Sequence, residues 1–315
     1  MKYLVTVCHT EAWFGPPWQF FDDIFDGFQR AWDVAARRHK RPRVTFCMTS
    51  EAVEDKGEFF AGLQAERHEI GVHSHLPGSQ RRGHSYSGDF AYELDDNGVL
   101  NQDLTAEIIR SKIVDAGLGT PKVHVSGMFT FRDTTVGVLE EAGFTVDCSL
   151  SPGMLHKHDA TGDFVLCDNR GRTCPAAYPL SQADHCTPGD SEVIELPVWG
   201  HLSARHDQQC VIEIAEESLR TGTPMADLWE RYWRSRGFFE GIAPSGSHVN
   251  GRPEIVQMFF HYWDFIDQTH SVNTHDLQRL GEFLAKWGEL DGCNFATASE
   301  AADVWTSDED KSPVQ

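Results

Sequence analysis

Residues 67–78 read Arg67-His68-Glu69-Ile70-Gly71-Val72-His73-Ser74-His75-Leu76-Pro77-Gly78. The run from Glu69 to Val72 has the apolar, β-compatible character of a buried strand, and it stops at two histidines one residue apart. Alternate side chains of a strand share a face, so His73 and His75 project from the same side. Two imidazoles at a strand's end make a metal site, although with 16 histidines in the chain such a pair also arises by chance. The segments on either side decide between the two readings.

Upstream, Tyr3 to Val7 reads as a short buried strand that runs into Cys8-His9-Thr10-Glu11-Ala12-Trp13. From Trp18 to His39 the apolar positions Phe21, Ile24, Phe25, Phe28, Trp32 and Ala35 recur every three or four residues, which predicts an amphipathic helix. Arg43 to Met48 is a second strand and Lys56 to Glu66 a second helix. Downstream, helices are expected over Thr105–Ala116, Thr134–Ala142, Gln209–Arg220, Met225–Arg236 and Thr274–Trp287. Strands are expected over Val123–Val125, Phe144–Cys148, Val193–Pro197, Glu254–Phe260 and Asn294–Thr297. Seven or eight strands separated by helices imply an α/β protein with a parallel barrel or an open parallel sheet. The expected organisation is one domain over residues 1–305, with long insertions near 76–103, 151–192 and 200–253, and a flexible tail over 306–315.

Composition narrows the function. Asp and Glu outnumber Lys and Arg by 48 to 27, a net charge of −21, which argues against nucleic acid or an anionic membrane as the partner. The N-terminal apolar run is too short for a signal peptide and no run reaches transmembrane length. Eight cysteines without a Cys-x-x-Cys pair read as thiols of a reducing compartment, so a cytoplasmic location is expected. Cys167, Cys174 and Cys186 fall close together in a loop-like region, where a second metal or a disulfide are the alternatives.

Parallel α/β architectures place their active sites at the C-terminal ends of the strands. That rule selects His9 and Glu11 after the first strand, His73 and His75 after the third, and His261 after the Glu254–Phe260 strand. A His/His/carboxylate set suits zinc or another divalent first-row ion, and further histidines suit proton transfer. Trp13, Trp18, Trp199 and Trp263 lie near strand ends and offer either a sugar-stacking wall or ordinary core packing.

The order of these motifs resembles the NodB-homology polysaccharide deacetylases, carbohydrate esterase family 4. Val5-Thr6-Val7-Cys8-His9-Thr10-Glu11 is similar to the family's first motif, His68-Glu69-Ile70-Gly71-Val72-His73 to its metal-binding motif, and Phe259-Phe260-His261-Tyr262-Trp263 to its last. Val44-Thr45-Phe46-Cys47, Gly143 to Leu150 and Ile194-Glu195-Leu196-Pro197 resemble intervening strands. The resemblance implies a deformed (β/α)7–8 barrel, Glu11, His73 and His75 as ligands of a divalent ion, most simply Zn2+, and His9 as a fourth ligand or the base. It implies that His261 protonates the leaving amine, and that the substrate is a small molecule or carbohydrate carrying an N-acyl group. Trp13, Trp199 and Trp263 would then line the substrate site. The chain departs from the family in three places. His9 stands where an Asp is usual, Pro77 where the second histidine is usual, and the third motif's arginine has no clear counterpart near Val125-Ser126-Gly127. Hydrolysis of a cyclic amide or imide, and a catalytically degenerate barrel that binds carbohydrate, are the competing readings.

Overall fold

In the computed structural model, which describes residues 1–11, 18–38, 40–75, 95, 96, 99, 101–157, 165–170, 173–235 and 251–307, strand and helix alternate from the start. The first half runs β1 (Lys2–Thr10), α1 (Phe21–Arg38), β2 (Val44–Met48), α2 (Ser50–Ala65), β3 (Glu69–Ser74), α3 (Thr105–Asp115), β4 (Val123–Ser126), α4 (Asp133–Glu141) and β5 (Val146–Asp147). Four short strands follow: β6 (Leu155–Lys157), β7 (Val165–Asp168), β8 (Tyr178–Pro179) and β9 (Ile194–Glu195). The rest is β10 (Val198–His201), α5 (Arg205–Thr221), α6 (Met225–Ser235), β11 (Glu254–His261), α7 (Thr274–Glu289), β12 (Cys293–Ala296) and α8 (Ala298–Ser307).

One sheet takes the order β10-β11-β1-β2-β3-β4-β5-β9-β8, parallel except for β8 against β9, while β6 and β7 form a separate antiparallel pair. β1 organises it. One edge of β1 pairs with β11 from Lys2↔Glu254 to His9↔His261, and the other is divided between β12 at Lys2–Val5 and β2 at Thr6–Thr10. Among the described residues the end strands β10 and β8 do not pair, so the sheet is curled rather than closed by a ladder of seven or eight strands.

The period of two sorts the core into two layers. Val5, Val7, Cys47, Val123, Val125, Val146, Ile194 and Ile255 face one side, where Ala298, Ala301, Ala302 and Trp305 of α8 pack on them. Leu4, Cys8, Phe46, Met48, Ile70, Val72 and Phe260 face the other, under the apolar stripe Phe21, Ile24, Phe25, Phe28, Trp32 of α1 and Leu277, Leu280, Leu284 of α7. α8 enters at the N-terminal ends of the strands, where Ala298 N donates to Thr45 Oγ1 (2.9 Å) and Ser299 N to Glu69 Oε2 (3.2 Å). The opposite rim of that inner face therefore remains for chemistry.

Several expectations are corrected. α2 begins at Ser50, six residues before Lys56, because the Thr49 side chain accepts from Ala52 N and caps it. α8 was not anticipated. The helices expected over Gln209–Arg220 and Met225–Arg236 appear as α5 and α6, while 151–192, read as loop-like, contains β6, β7 and β8. Most of the 76–103 segment and residues 308–315 lie outside the described residues. Among the described residues neither Cys174 nor Cys186, both buried, forms a disulfide, and the Cys167 side chain lies outside the described residues. Among the described residues no helix is long and apolar enough to cross a membrane.

Candidate functional site

His9, Glu11 and His73 share the parity of Val5, Val7 and Gly71, so they project from the inner face. Cross-strand register sets their heights. His9 pairs with Cys47 and Cys47 with Gly71, so Glu11 and His73, each two residues further on, stand level at the rim. Glu11 Oε2 lies 3.7 Å from His73 Nε2 and 3.7 Å from His75 Nε2, and Glu11 Oε1 lies 3.3 Å from His261 Nε2. Four of the five residues selected by the strand-end rule thus converge on one carboxylate. The fifth, His9, sits beside them, its ring centroid 4.7 Å from that of His73 and 5.1 Å from that of His261.

The donor set fits a divalent ion. His73 Nδ1 is 3.2 Å from the Val125 carbonyl, which only an N–H can satisfy, and its Nε2 faces Glu11. A backbone carbonyl behind the imidazole is the usual support of a ligating histidine. Burial acts to raise the Glu11 carboxyl, but its contact with His73 and the surrounding His75 and His261 outweigh that and hold it down to about 2, so it is a carboxylate. Two imidazole nitrogens and one carboxylate oxygen match the preference of zinc. Gly127, directly after β4, makes room for His75, since a Cβ there would come 2.6 Å from His75 Cδ2 and 2.7 Å from Ser74 O.

Two kinds of imidazole flank the set. Burial, reinforced by the neighbouring His73, His261, His201 and His75, keeps His9 far below the usual histidine range, so it is neutral. Its Nε2 has no hydrogen-bond partner among the described residues, and Phe259 stacks on it (5.2 Å) while Phe129 lies at 5.4 Å. Phe129 is delivered by a turn in which Met128 and Phe129 both take positive φ (57° and 53°), a costly conformation outside glycine. His261 is the opposite case. Burial would depress it, but Asp264 and Glu11 overcome that and raise it. Asp264 Oδ2 accepts from the His261 backbone N (2.5 Å), stands 3.4 Å from His261 Nδ1 and 3.1 Å from His201 Nε2, and is itself held below the usual carboxylate range by these histidines against the effect of burial. The His261 side chain is 20 % exposed against 2 % for His73, so the site opens on the His261 side.

Trp263 stacks on the His261 ring (4.6 Å, 13° between planes) and is buried, so it supports the imidazole rather than offering a free face. Trp199 is a correction. It points to the helix layer, its indole N–H donating to Pro175 O (2.8 Å) and its ring packing on Trp229, which removes it from any substrate wall. Trp13 lies outside the described residues, and Trp18 packs between Phe21 and Tyr262. Sequence reasoning gave Asp264 and His201 little individual weight. Asp264 follows His261 by three residues, at the capping spacing, and that was the available signal.

No family model matches the sequence and no curated protein matches it. Among solved structures, a protein from Mycobacterium smegmatis assigned as a polysaccharide deacetylase superposes with a TM-score of 0.52 at 14 % identity, over 97 % of this chain and 91 % of its own. The chain has the NodB deacetylase fold. An allantoinase matches with a TM-score of 0.49 at 12 % identity, over 97 % of this chain and 89 % of that one. The peptidoglycan deacetylase PdaC from Bacillus subtilis matches with a TM-score of 0.42 at 10 % identity, over 98 % and 94 %. At these identities the likeness is one of fold, and the residues at the rim of this NodB-type sheet stand on their own geometry.

Proposed function

We propose that this chain is a metal-dependent hydrolase that removes an acyl group from an amide nitrogen, acting on an amino sugar or a sugar-containing metabolite. The observation that carries this reading is the Glu11 carboxylate, with one oxygen 3.7 Å from both His73 Nε2 and His75 Nε2 and the other 3.3 Å from His261 Nε2. Glu11, His73 and His75 would hold the ion, zinc by donor preference. A divalent ion bound there supplies Lewis-acid polarisation of the acyl carbonyl and lowers the pKa of water.

The protein's own groups divide the proton work. His9, neutral and with an uncommitted Nε2, accepts a proton. His261, its pKa raised by Asp264 and its ring faced by Trp263, donates one to the departing nitrogen at the open side of the site. Their opposite pKa shifts support this division, because paired groups pushed apart serve as base and acid. An N-acylated sugar suits a rim whose partly accessible His201 and His261 can hydrogen-bond hydroxyls.

Metal analysis of protein purified without chelator, wild type beside His73→Ala, tests the reading together with acetate release from N-acetylated amino sugars and their oligomers. One equivalent of zinc in the wild type, lost in the variant along with hydrolysis, is the expected result. Release of ring-opened product from cyclic amides alone would move the chain to that substrate class. Metal-free protein that binds sugar without turnover would make it a binding module.

A further inference from the structure

We infer that a buried polar row on the helix-facing side of the sheet, Ser74, His124 and Asp147, positions the His73/His75 pair for metal capture, with His124 and Asp147 acting as positioning residues through the Ser74 hydroxyl. This rests on the reading of Glu11, His73 and His75 as metal ligands.

The residue between the two imidazoles faces the other way, and it is a serine where the preceding outward positions of β3 are Ile70 and Val72. Ser74 Oγ lies 2.9 Å from His124 Nε2, and His124 Nδ1 lies 2.7 Å from Asp147 Oδ1. Asp147 in turn accepts from Ser149 N at Oδ2 and from Ser149 Oγ at Oδ1 (both 2.9 Å), and Ser149 Oγ accepts from Ser126 N (2.8 Å). Register supports the row, because Val72 pairs with His124, His124 with Asp147 and Asp147 with Glu195 across four neighbouring parallel strands. Ser74, His124, Asp147 and Ser149 are all fully buried.

His124 bridges the row, its Nδ1 paired with Asp147 Oδ1 and its Nε2 with the Ser74 hydroxyl. A buried aliphatic side chain would stabilise this layer at least as well, since a polar group in such a place costs free energy unless fully paired. The row therefore calls for a role other than packing, and its end at Ser74 supplies one. β3 pairs with β4 only as far as Ser74↔Ser126, which leaves His75 one residue beyond the last pair. β4 grips this terminus from both faces, Val125 O taking His73 Nδ1 on the inner side and His124 taking Ser74 on the outer. Rotating the segment about its own axis, which would swing both imidazoles off the Glu11 oxygen, breaks both bonds at once.

The test compares Ser74→Thr with Ser74→Val in the full-length chain. The two side chains are nearly isosteric, so the cost of an added methyl is shared and only the hydroxyl differs. Zinc affinity is read by competition with a chromophoric chelator, beside the apo melting temperature. Ser74→Val is expected to bind zinc on the order of 10-fold more weakly than Ser74→Thr, the scale seen when a ligand's outer support is removed. Equal zinc affinities, with any difference confined to the apo melting temperature, overturn the inference and leave the metal site standing. Wild type that takes up no zinc overturns the metal-site reading and this inference with it. Should Ser74→Val not fold, Ser74→Ala against Ser74→Thr reads the same ratio.

Discussion

The two ends of the same parallel strands handle charge differently. At the N-terminal end, Lys2 pairs with Glu254 and Arg43 with Glu300. The Arg43 and Glu300 side chains remain 31 % and 45 % exposed. At the C-terminal end, Glu11 and Asp264 are surrounded by His73, His75, His201 and His261, with Glu11 only 4 % exposed. Imidazoles give up a proton or take a metal ion where Lys and Arg do neither. The contrast teaches that the sheet gathers imidazoles around carboxylates at one rim and pairs Lys and Arg with Glu at the other.

The sharpest way to break this contrast is at Asp264, which touches two histidines of the active rim. Asp264→Asn keeps the shape but loses the charge that raises His261. We expect kcat/KM for amide hydrolysis to fall by about 10²- to 10⁴-fold, the range attributed to a positioned proton-transfer group, with zinc content unchanged because Asp264 is not among the three proposed ligands. A variant as active as wild type would remove His261 from the role of proton donor.

Burial reappears one layer out, where the sequence was harder to read. Periodicity exposed β1, α1, β3 and β11 because their apolar residues recur at fixed intervals, and the strand-end rule then located His9, Glu11, His73, His75 and His261 without tertiary information. Asp264 and His201 carried little individual weight because their pairing joins β10 to the segment after β11, a contact made only by folding. Trp199 was misjudged because the register of β10 slips between Val198 and Gly200, which hides from the sequence the face that each residue presents. α8 escaped for another reason. Its ten residues carry few large apolar side chains, and Ala298, Ala301 and Ala302 bury a small-residue face that hydropathy scarcely registers. Ser74, His124 and Asp147 look like ordinary polar residues until the register aligns them.

An effect of intermediate size is expected at Asp103, buried beneath α3 with Oδ2 accepting from Thr135 Oγ1 (2.6 Å). Burial pushes its carboxyl up to about 6, assisted by Asp147 and opposed by Thr135, His124 and Arg132. A carboxyl with a folded pKa above its unfolded value binds its proton more tightly when folded. Its stabilising contribution is full below the unfolded pKa near 4 and is lost as pH rises through about 6, a swing of order 3 kcal/mol. Asp103→Asn has no such proton, so its melting temperature should gain on wild type by several degrees between pH 5 and pH 8. Parallel pH profiles for the two proteins would show that Asp103 is not the group responsible.

The smallest effect belongs to the opposite rim. Arg43→Ala removes the cation that meets Glu300 at the start of α8, and both partners are exposed enough for water to compensate them. Pairs of this kind contribute about 0–1 kcal/mol, so a shift in melting temperature of a few degrees at most is expected, shrinking further in high salt. Hydrolysis should be unchanged within about twofold, because the variant leaves the inner-face residues and the His73–Val125 bond untouched. A large loss of activity from Arg43→Ala would mean that α8, which packs on β1 from below, transmits its position to His9 and Glu11 at the top of that strand. The two rims would then be one mechanical unit, and the division of labour between them would fail.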